Sequence, residues 1–133
     1  MSYLLDTHTF IWSIVDETRL SNHTKSILQD ASNPIFVSVV TFWEISIKYS
    51  LKKLRLTGVD PVELKKAADK NQFTILPLDP EEAASSHQLP LMDAHRDSFD
   101  RLLIWQALRN NLTIITKDSD FKLYLPLGLK NSW

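Results

Sequence analysis

The chain has 133 residues, with 15 lysine and arginine residues against 16 aspartate and glutamate residues, and therefore a net charge of −1. This length predicts a single domain over residues 1–133, and the near-neutral charge excludes a generic polycation. The absence of cysteine excludes disulfides and cysteine-ligated metals, and the presence of only two glycines excludes a glycine-rich phosphate loop. No apolar run is long enough to span a membrane and no basic leader opens the sequence, so we expect a cytoplasmic protein.

Short apolar strands alternate with helical segments along the chain. Strands are predicted at residues 3–5, 35–37, 73–76 and 112–116, with a last edge strand within 127–130. Helices are predicted at residues 7–15, 22–30, 40–53, 62–70 and 98–109, with shorter ones opening at 79–82 and at 118. Because helices separate the strands, we predict an α/β fold with a parallel sheet covered on both faces. In such sheets, sites form beyond the carboxyl ends of the strands.

Two aspartates follow strands of the predicted sheet. Asp6 comes directly after the first strand, and Asp118 follows the strand 112–116 after one intervening residue. Carboxyl ends of parallel strands share one edge of a sheet, so we expect the two carboxylates to lie near each other. Each also has a structural explanation, because aspartate is a favoured residue at a helix N-terminus.

Two further acids point inward from predicted helices. Glu44 is centred on the apolar face of helix 40–53, in line with Val40, and Asp100 shares a face with Leu103. Burying an ionised carboxylate costs several kcal/mol unless it is paired or coordinates a cation. A salt bridge is the structural alternative for Glu44, and interaction with the helix N-terminus is the alternative for Asp100.

These four acids have no evident basic partner nearby in the sequence, which favours a bound cation. Carboxylate oxygens suit Mg²⁺ and Mn²⁺, and one or two such ions can promote phosphodiester hydrolysis. Residues 48–70 contain seven basic and three acidic side chains, typical either of a solvated face or of a flank for a polyanion. Lys48 and Lys52, one helical turn apart, are candidates for contact with phosphate, although a solvated lysine is the simpler interpretation for Lys52.

Four segments in order carry a family resemblance. They are LLDTH at 4–8, SVVTFWEISIK at 38–48, HRDSFDRLLIWQA at 95–107 and TKDSDF at 116–121. They resemble the strand-then-Asp opening, the "S…WEI…K" segment, the "HRDPFDRLLIAQA" segment and the "T-x-D-x-x-F" segment of PIN-domain ribonucleases. The resemblance is to the VapC-type toxins of bacterial type II toxin–antitoxin systems, and it covers essentially the whole chain.

The resemblance implies a PIN-like three-layer α/β/α sandwich with a short, mostly parallel sheet, usually as a homodimer. It implies a toxin that is a ribonuclease dependent on Mg²⁺ or Mn²⁺, with RNA as substrate and a cognate antitoxin that blocks the site. The catalytic and metal-binding acids that it implies are Asp6, Glu44, Asp100 and Asp118. Two departures, Ser98 for the usual proline and Trp105 for the usual alanine, replace no acid.

Blocking the site requires a group that suits clustered carboxylates. We expect the antitoxin to insert a basic side chain, an arginine, because a guanidinium can pair with two oxygens at once. The apolar residues of the predicted helix around 53–56 are candidates for the rest of its docking surface.

Other interpretations make different demands on the sequence. A catalytically silent PIN-fold module that only binds RNA or protein would be marked by loss of acids, and all four are present. A phosphoacceptor receiver-like domain needs an adjacent acid pair after the first strand, whereas Leu5 precedes Asp6.

Three further sets of polar residues are weighed as site residues. Asp97 is the alternative to Asp100 as the third acid, but it is expected to stabilise the loop. Thr116 suits either a strand or a hydrogen bond to metal-bound water. The four histidines match no compact zinc motif.

Overall fold

Five short strands form one all-parallel sheet in the computed structural model, which describes residues 1–133. The strands are β1 (Tyr3–Leu5), β2 (Ile35–Ser38), β3 (Thr74–Leu76), β4 (Thr113–Ile115) and β5 (Lys130–Ser132). Their spatial order is β3-β2-β1-β4-β5, so Tyr3 of the central strand lies opposite both Ile35 and Thr113. The strand order reverses at β1, and the crevice at its carboxyl end is where α/β sheets place their sites.

Six α-helices connect and cover the strands. They are α1 (Thr7–Val15), α2 (Asn22–Gln29), α3 (Val39–Ser50), α4 (Pro61–Lys70), α5 (Pro80–Ser85) and α6 (Ser98–Asn110). Three 3₁₀ segments lie at Glu17–Arg19, Ser86–Gln88 and Ser119–Leu127. None of the helices combines the length and apolarity that crossing a membrane would require.

The sheet has an apolar core on each face. Successive residues of a strand point to opposite faces, and Leu4 and Leu5, both fully buried, belong to different cores. Leu4 packs in the core that contains Leu103 of α6, whereas Leu5 packs in the core that contains Phe10 of α1 and Ile45 of α3. This arrangement confirms the predicted parallel sheet between two helical layers.

Several element boundaries differ from the prediction. Helix α3 ends at Ser50 rather than at residue 53, and Lys52 adopts a left-handed conformation with φ 57°. The segment around 53–56 is therefore a turn and loop, so the prediction of a helix there was wrong, whereas its part in a docking surface stays a prediction. The N-cap of α6 is Asp97 rather than Ser98. The last strand begins only at Lys130, because Gly128 first ends the 3₁₀ segment at φ 99°.

Candidate metal centre at the carboxyl ends of the strands

Asp6 joins β1 to α1 and is held by hydrogen bonds to both carboxylate oxygens. Oδ1 accepts from the Thr9 backbone N–H at 2.8 Å, which caps α1, and Oδ2 accepts from the Thr116 hydroxyl at 2.6 Å. The residue is 5% exposed. Burial raises the pKa of the Asp6 carboxyl, and the hydrogen bonds from Thr116 and Thr9 oppose that rise. Asp6 is therefore both a helix cap and a buried acid at the strand ends.

Thr116 connects Asp6 with Asp118. The Thr116 hydroxyl donates to Asp6 and accepts from the Asp118 backbone N–H at 3.0 Å, so one side chain sets the position of both acids. Asp118 is exposed and caps the following 3₁₀ segment by accepting from the Asp120 N–H at 2.9 Å. An open hollow of about 260 Å³ is lined by Asp6, His8, Trp12, Lys117 and Asp118.

Glu44 lies inside the fold and has a basic partner. Its Oε1 accepts from the Thr7 hydroxyl at 2.6 Å, and its Oε2 accepts from the Lys48 ammonium at 2.6 Å. The expectation that no acid has a basic partner nearby in the sequence was therefore wrong, since Lys48 lies one turn along α3. Partial burial lowers the pKa of Lys48, but the hydrogen bond and charge of Glu44, with the charges of Asp97 and Asp100, raise it above its ordinary value.

Asp100 lies at the start of α6 with its side chain 21% exposed, and its Oδ2 contacts Nε2 of His95 at 3.1 Å. Burial, then the negative charge of Asp97 and that of Glu44, raises the pKa of Asp100 to about 7, although the hydrogen bond from His95 opposes the rise. The charges of Asp97 and Glu44 thus oppose ionisation of Asp100. A cation would relieve this repulsion, because it favours the ionised carboxylates.

The donor atoms that lie closest together come from Asp100, Asp118 and His95. One oxygen or nitrogen atom of each lies within 4.8 Å of the others. Asp6 and Glu44 are outside this group of three: Asp6 is linked to Asp118 through Thr116, and Glu44 acts on Asp100 through its charge. Because carboxylates predominate, this set of donors fits a hard divalent cation such as Mg²⁺ or Mn²⁺.

Two further residues lie beside the predicted acids, and one of them, Asp97, has the structural role that the sequence predicted. Asp97 is exposed, and its Oδ1 accepts from the Asp100 backbone N–H at 2.9 Å, so it stabilises the start of α6. His95 was not predicted as a site residue, although it opens the 95–107 segment. Its ring is 5% exposed and contacts Tyr124, 29 residues further along the chain, a contact that leaves no local signal in the sequence.

A third buried acid, Glu82 of α5, lies outside the centre and was not singled out by the sequence analysis. Its Oε2 accepts from the Asn110 amide at 2.8 Å, and its Oε1 accepts from the Gln106 amide at 3.4 Å. Gln106 also contacts the Pro77 carbonyl and accepts from the Ser38 hydroxyl. Neutral side chains thus satisfy Glu82, which helps to hold α5 against α6.

Solved structures with the same fold come from several bacteria. A chain from the VapBC2 structure of Rickettsia felis, bound to a promoter DNA fragment, is 19% identical with a TM-score of 0.67, and the match covers 99% of this chain and 98% of that chain. A chain from the DNA-bound VapBC of Salmonella typhimurium is 17% identical with a TM-score of 0.65, and the match covers 99% of this chain and 97% of that chain. A chain from VapBC-5 of Mycobacterium tuberculosis, a member of the VapBC family of toxin–antitoxin systems, is 20% identical with a TM-score of 0.56. That match covers 92% of this chain and 90% of the other.

Comparison with curated protein sequences finds no match. The sequence does match the PIN domain family over residues 3–124, which include all four predicted acids and the whole sheet except β5. The resemblance found in the sequence motifs is thereby confirmed, and the chain belongs to the PIN domain family.

Proposed function

We propose that this protein is a Mg²⁺- or Mn²⁺-dependent endoribonuclease that acts as the toxin of a toxin–antitoxin pair. The observation that carries the proposal is the convergence of Asp100 and Asp118 at the carboxyl ends of the strands, with Asp6 and Glu44 behind them. PIN domains are in general nucleases, and this chain retains the carboxylates that such chemistry needs. The proposed catalytic and metal-binding residues are Asp6, Glu44, Asp100 and Asp118.

Each acid would serve the proposed reaction differently. Asp100 and Asp118 are placed to hold the cation, because their oxygens lie closest together and are accessible. Asp6, which is held by Thr116, would add negative charge next to these two acids. Lys48 would partly neutralise the negative charge that Glu44 contributes to the site. A bound divalent cation supplies positive charge for the phosphodiester and activates water for attack on phosphorus.

The hollow beside the acids adjoins a second hollow lined by basic side chains, and the two together are called the groove. The hollow that contains Asp6 and Asp118 shares His8 and Trp12 with a second hollow of about 550 Å³, which is also lined by Arg19 and Arg55. Arginines attract a phosphate backbone, and an aromatic ring such as Trp12 offers a surface for an unpaired base. The groove therefore supports single-stranded RNA as the substrate.

The same groove supports a protein partner that competes with RNA. Its walls include Ile11, Val15, Leu54 and Leu56, which suit an apolar segment of a cognate antitoxin. The structures compared above include VapBC toxin–antitoxin proteins, and we propose that an arginine of this chain's own antitoxin enters the acidic hollow. A homodimer is the proposed state of the toxin, and a heteromeric complex is the proposed inactive state.

The test is cleavage of a labelled single-stranded RNA by the purified chain with Mg²⁺ or Mn²⁺, with EDTA, and after metal is restored. We expect internal cuts only when metal is present, and no cuts by Asp118→Asn. The matched control is Glu82→Gln, which removes one buried carboxylate charge away from the centre. Cleavage that persists in EDTA, or in Asp118→Asn, would refute the proposal. RNA binding without cleavage under every metal condition would identify a silent binding module instead.

A further inference from the structure

His95 and Tyr124 form a buried chain of hydrogen bonds that begins at Arg101 and ends at Asp100. Arg101 donates to the Tyr124 hydroxyl at 2.8 Å, that hydroxyl lies 2.9 Å from Nδ1 of His95, and Nε2 of His95 lies 3.1 Å from Oδ2 of Asp100. Tyr124 is fully buried and His95 is 5% exposed. Each of the two side chains therefore has the other as one of its two hydrogen-bond partners.

The arginine donor and the single proton of the Tyr124 hydroxyl together set the direction of the bonds in this chain. Arginine only donates, so the Tyr124 oxygen accepts from Arg101 and its own proton is free to reach Nδ1 of His95. With Nδ1 as the acceptor, a neutral imidazole carries its proton on Nε2, where it donates to the ionised Asp100 carboxylate. The opposite tautomer would turn a lone pair of Nε2 toward that carboxylate and leave the Tyr124 proton without an acceptor.

We infer that His95 is a positioning residue, locked by Tyr124 and Arg101 in the tautomer that carries its proton on Nε2, and that it orients the Asp100 carboxylate for the metal. The bond to Oδ2 restrains rotation of the carboxylate. In this role His95 is a donor to a ligand and is not itself a ligand, although its ring lies in the group of three close donors. The metal-directed part of this inference rests on the proposed function.

The tautomer can be measured in the metal-free protein. In protein labelled with ¹⁵N-histidine, at mildly alkaline pH, nitrogen chemical shifts distinguish the protonated from the unprotonated ring nitrogen. The His95 signals are identified by their loss in His95→Gln. We expect the proton on Nε2 in the wild type and a mixture of tautomers in Tyr124→Phe, with Tyr49→Phe, an exposed tyrosine, as the matched control. A proton on Nδ1 in the wild type would overturn the inference.

The positioning role is tested through Mn²⁺ affinity, measured by calorimetry on the same proteins. We expect His95→Ala to weaken Mn²⁺ binding by about tenfold, as the loss of a partner of a metal ligand commonly does. His95→Gln should bind within about threefold of the wild type, because a glutamine amide can place a donor N–H where Nε2 lies. His87→Ala, at an exposed histidine, is the control and should change nothing.

The outcomes separate this inference from the proposed function. Wild-type Mn²⁺ affinity retained in His95→Ala, or an equal loss in His95→Gln and His95→Ala when both unfold cooperatively, would overturn the positioning role. A wild-type protein that binds no Mn²⁺ would refute the proposed metal dependence and, with it, the metal-directed role. The nitrogen shifts would then still decide the direction of the hydrogen-bond chain.

Discussion

Glu44 and Glu82 are almost equally buried, at 2% and 4% exposure, but they lie in opposite electrostatic surroundings. Glu82 is satisfied by the neutral amides of Gln106 and Asn110, and it sits in the first turn of α5, where a helix favours negative charge. Glu44 is held by Thr7 and the ammonium of Lys48, and its charge raises the pKa of Asp100.

This difference shows that burial of a carboxylate does not by itself mark a functional site. The fold surrounds Glu82 with enough neutral donors to stabilise it, and that acid joins two helices. Near Glu44 the fold supplies one cation, Lys48, for several acids, and repulsion remains between Asp97 and Asp100. Excess negative charge that the protein does not neutralise is the feature that favours a divalent cation.

The largest expected effect separates the two glutamates in catalysis. Glu44→Gln should lower the rate of RNA cleavage by more than about a hundredfold, since even partners of metal ligands commonly contribute ten- to a hundredfold. Glu82→Gln should leave the rate within about threefold. Single-turnover cleavage at saturating Mg²⁺ measures both variants. Equal losses would contradict the distinction. Strong losses are also expected for Asp6→Asn, Asp100→Asn and Asp118→Asn.

The second prediction concerns the repulsion around Asp100. The pKa of Asp100 is about 7 in the folded protein and 3.8 ordinarily, so between these values the folded state binds a proton that the unfolded state lacks. Stability contributed by this group therefore falls as pH rises through that window. Asp100→Asn cannot ionise, and it should stabilise the metal-free protein by up to about 4 kcal/mol at the alkaline end, since each pKa unit is worth about 1.4 kcal/mol.

Thermal melts across this pH window, with and without Mg²⁺, measure the effect. The gain in stability of Asp100→Asn over the wild type should be absent at the acid end of this window and largest above pH 7. Saturating Mg²⁺ should reduce this gain, because it stabilises the wild type more than the variant. A metal-free Asp100→Asn protein that is less stable than the wild type at alkaline pH would show that Asp100 is a structural partner of His95 and not a repelled member of the acid group.

The third prediction tests the structural role of Glu82. Glu82→Ala leaves the amides of Gln106 and Asn110 without their carboxylate acceptor, which should lower the free energy of unfolding by about 1–3 kcal/mol. The neighbouring Glu81 is exposed, and Glu81→Ala should change stability by less than about 0.5 kcal/mol. Urea unfolding curves compare the two. No difference between them would contradict the role assigned to Glu82.

The smallest effect on cleavage is expected at Asp97, an exposed acid that resembles neither Glu44 nor Glu82. Asp97→Asn keeps a favoured cap on α6 and removes one of the charges acting on Asp100, so its cleavage rate should fall less than that of Asp100→Asn. Parallel rate measurements on these two variants decide the order. A larger loss in Asp97→Asn would mean that the third acid had been assigned to the wrong residue.

Much of the fold was predictable because local patterns determine it. Apolar runs marked four of the strands, and their alternation with helices predicted the parallel sheet. Strand ends then predicted that Asp6 and Asp118 would share an edge, where Thr116 joins them. The apolar face of α3 showed that Glu44 points inward. The fifth strand was displaced to Lys130–Ser132, because its short, partly polar sequence gives little strand signal.

The partners of the site residues were harder to predict, for two different reasons. Lys48 lies at the i+4 position from Glu44, a spacing that could have indicated the ion pair from the sequence. His95 and Glu82 depend on residues 29, 24 and 28 positions away, and no local pattern encodes such contacts. Helix α3 also stopped earlier than its pattern predicted, because Lys52 turns the backbone into the left-handed region.

The bond between Thr116 and Asp6 also has a consequence for when the proposed activity can arise during protein synthesis. The two residues are 110 positions apart, so Asp6 leaves the ribosome long before the hydroxyl that binds its second oxygen. A nascent chain without β4 lacks both that hydroxyl and Asp118. Incomplete translation or proteolysis before this point therefore yields fragments without a complete set of acids. In the proposed toxin, only chains translated past Asp118 would carry all four acids and need to be met by an antitoxin.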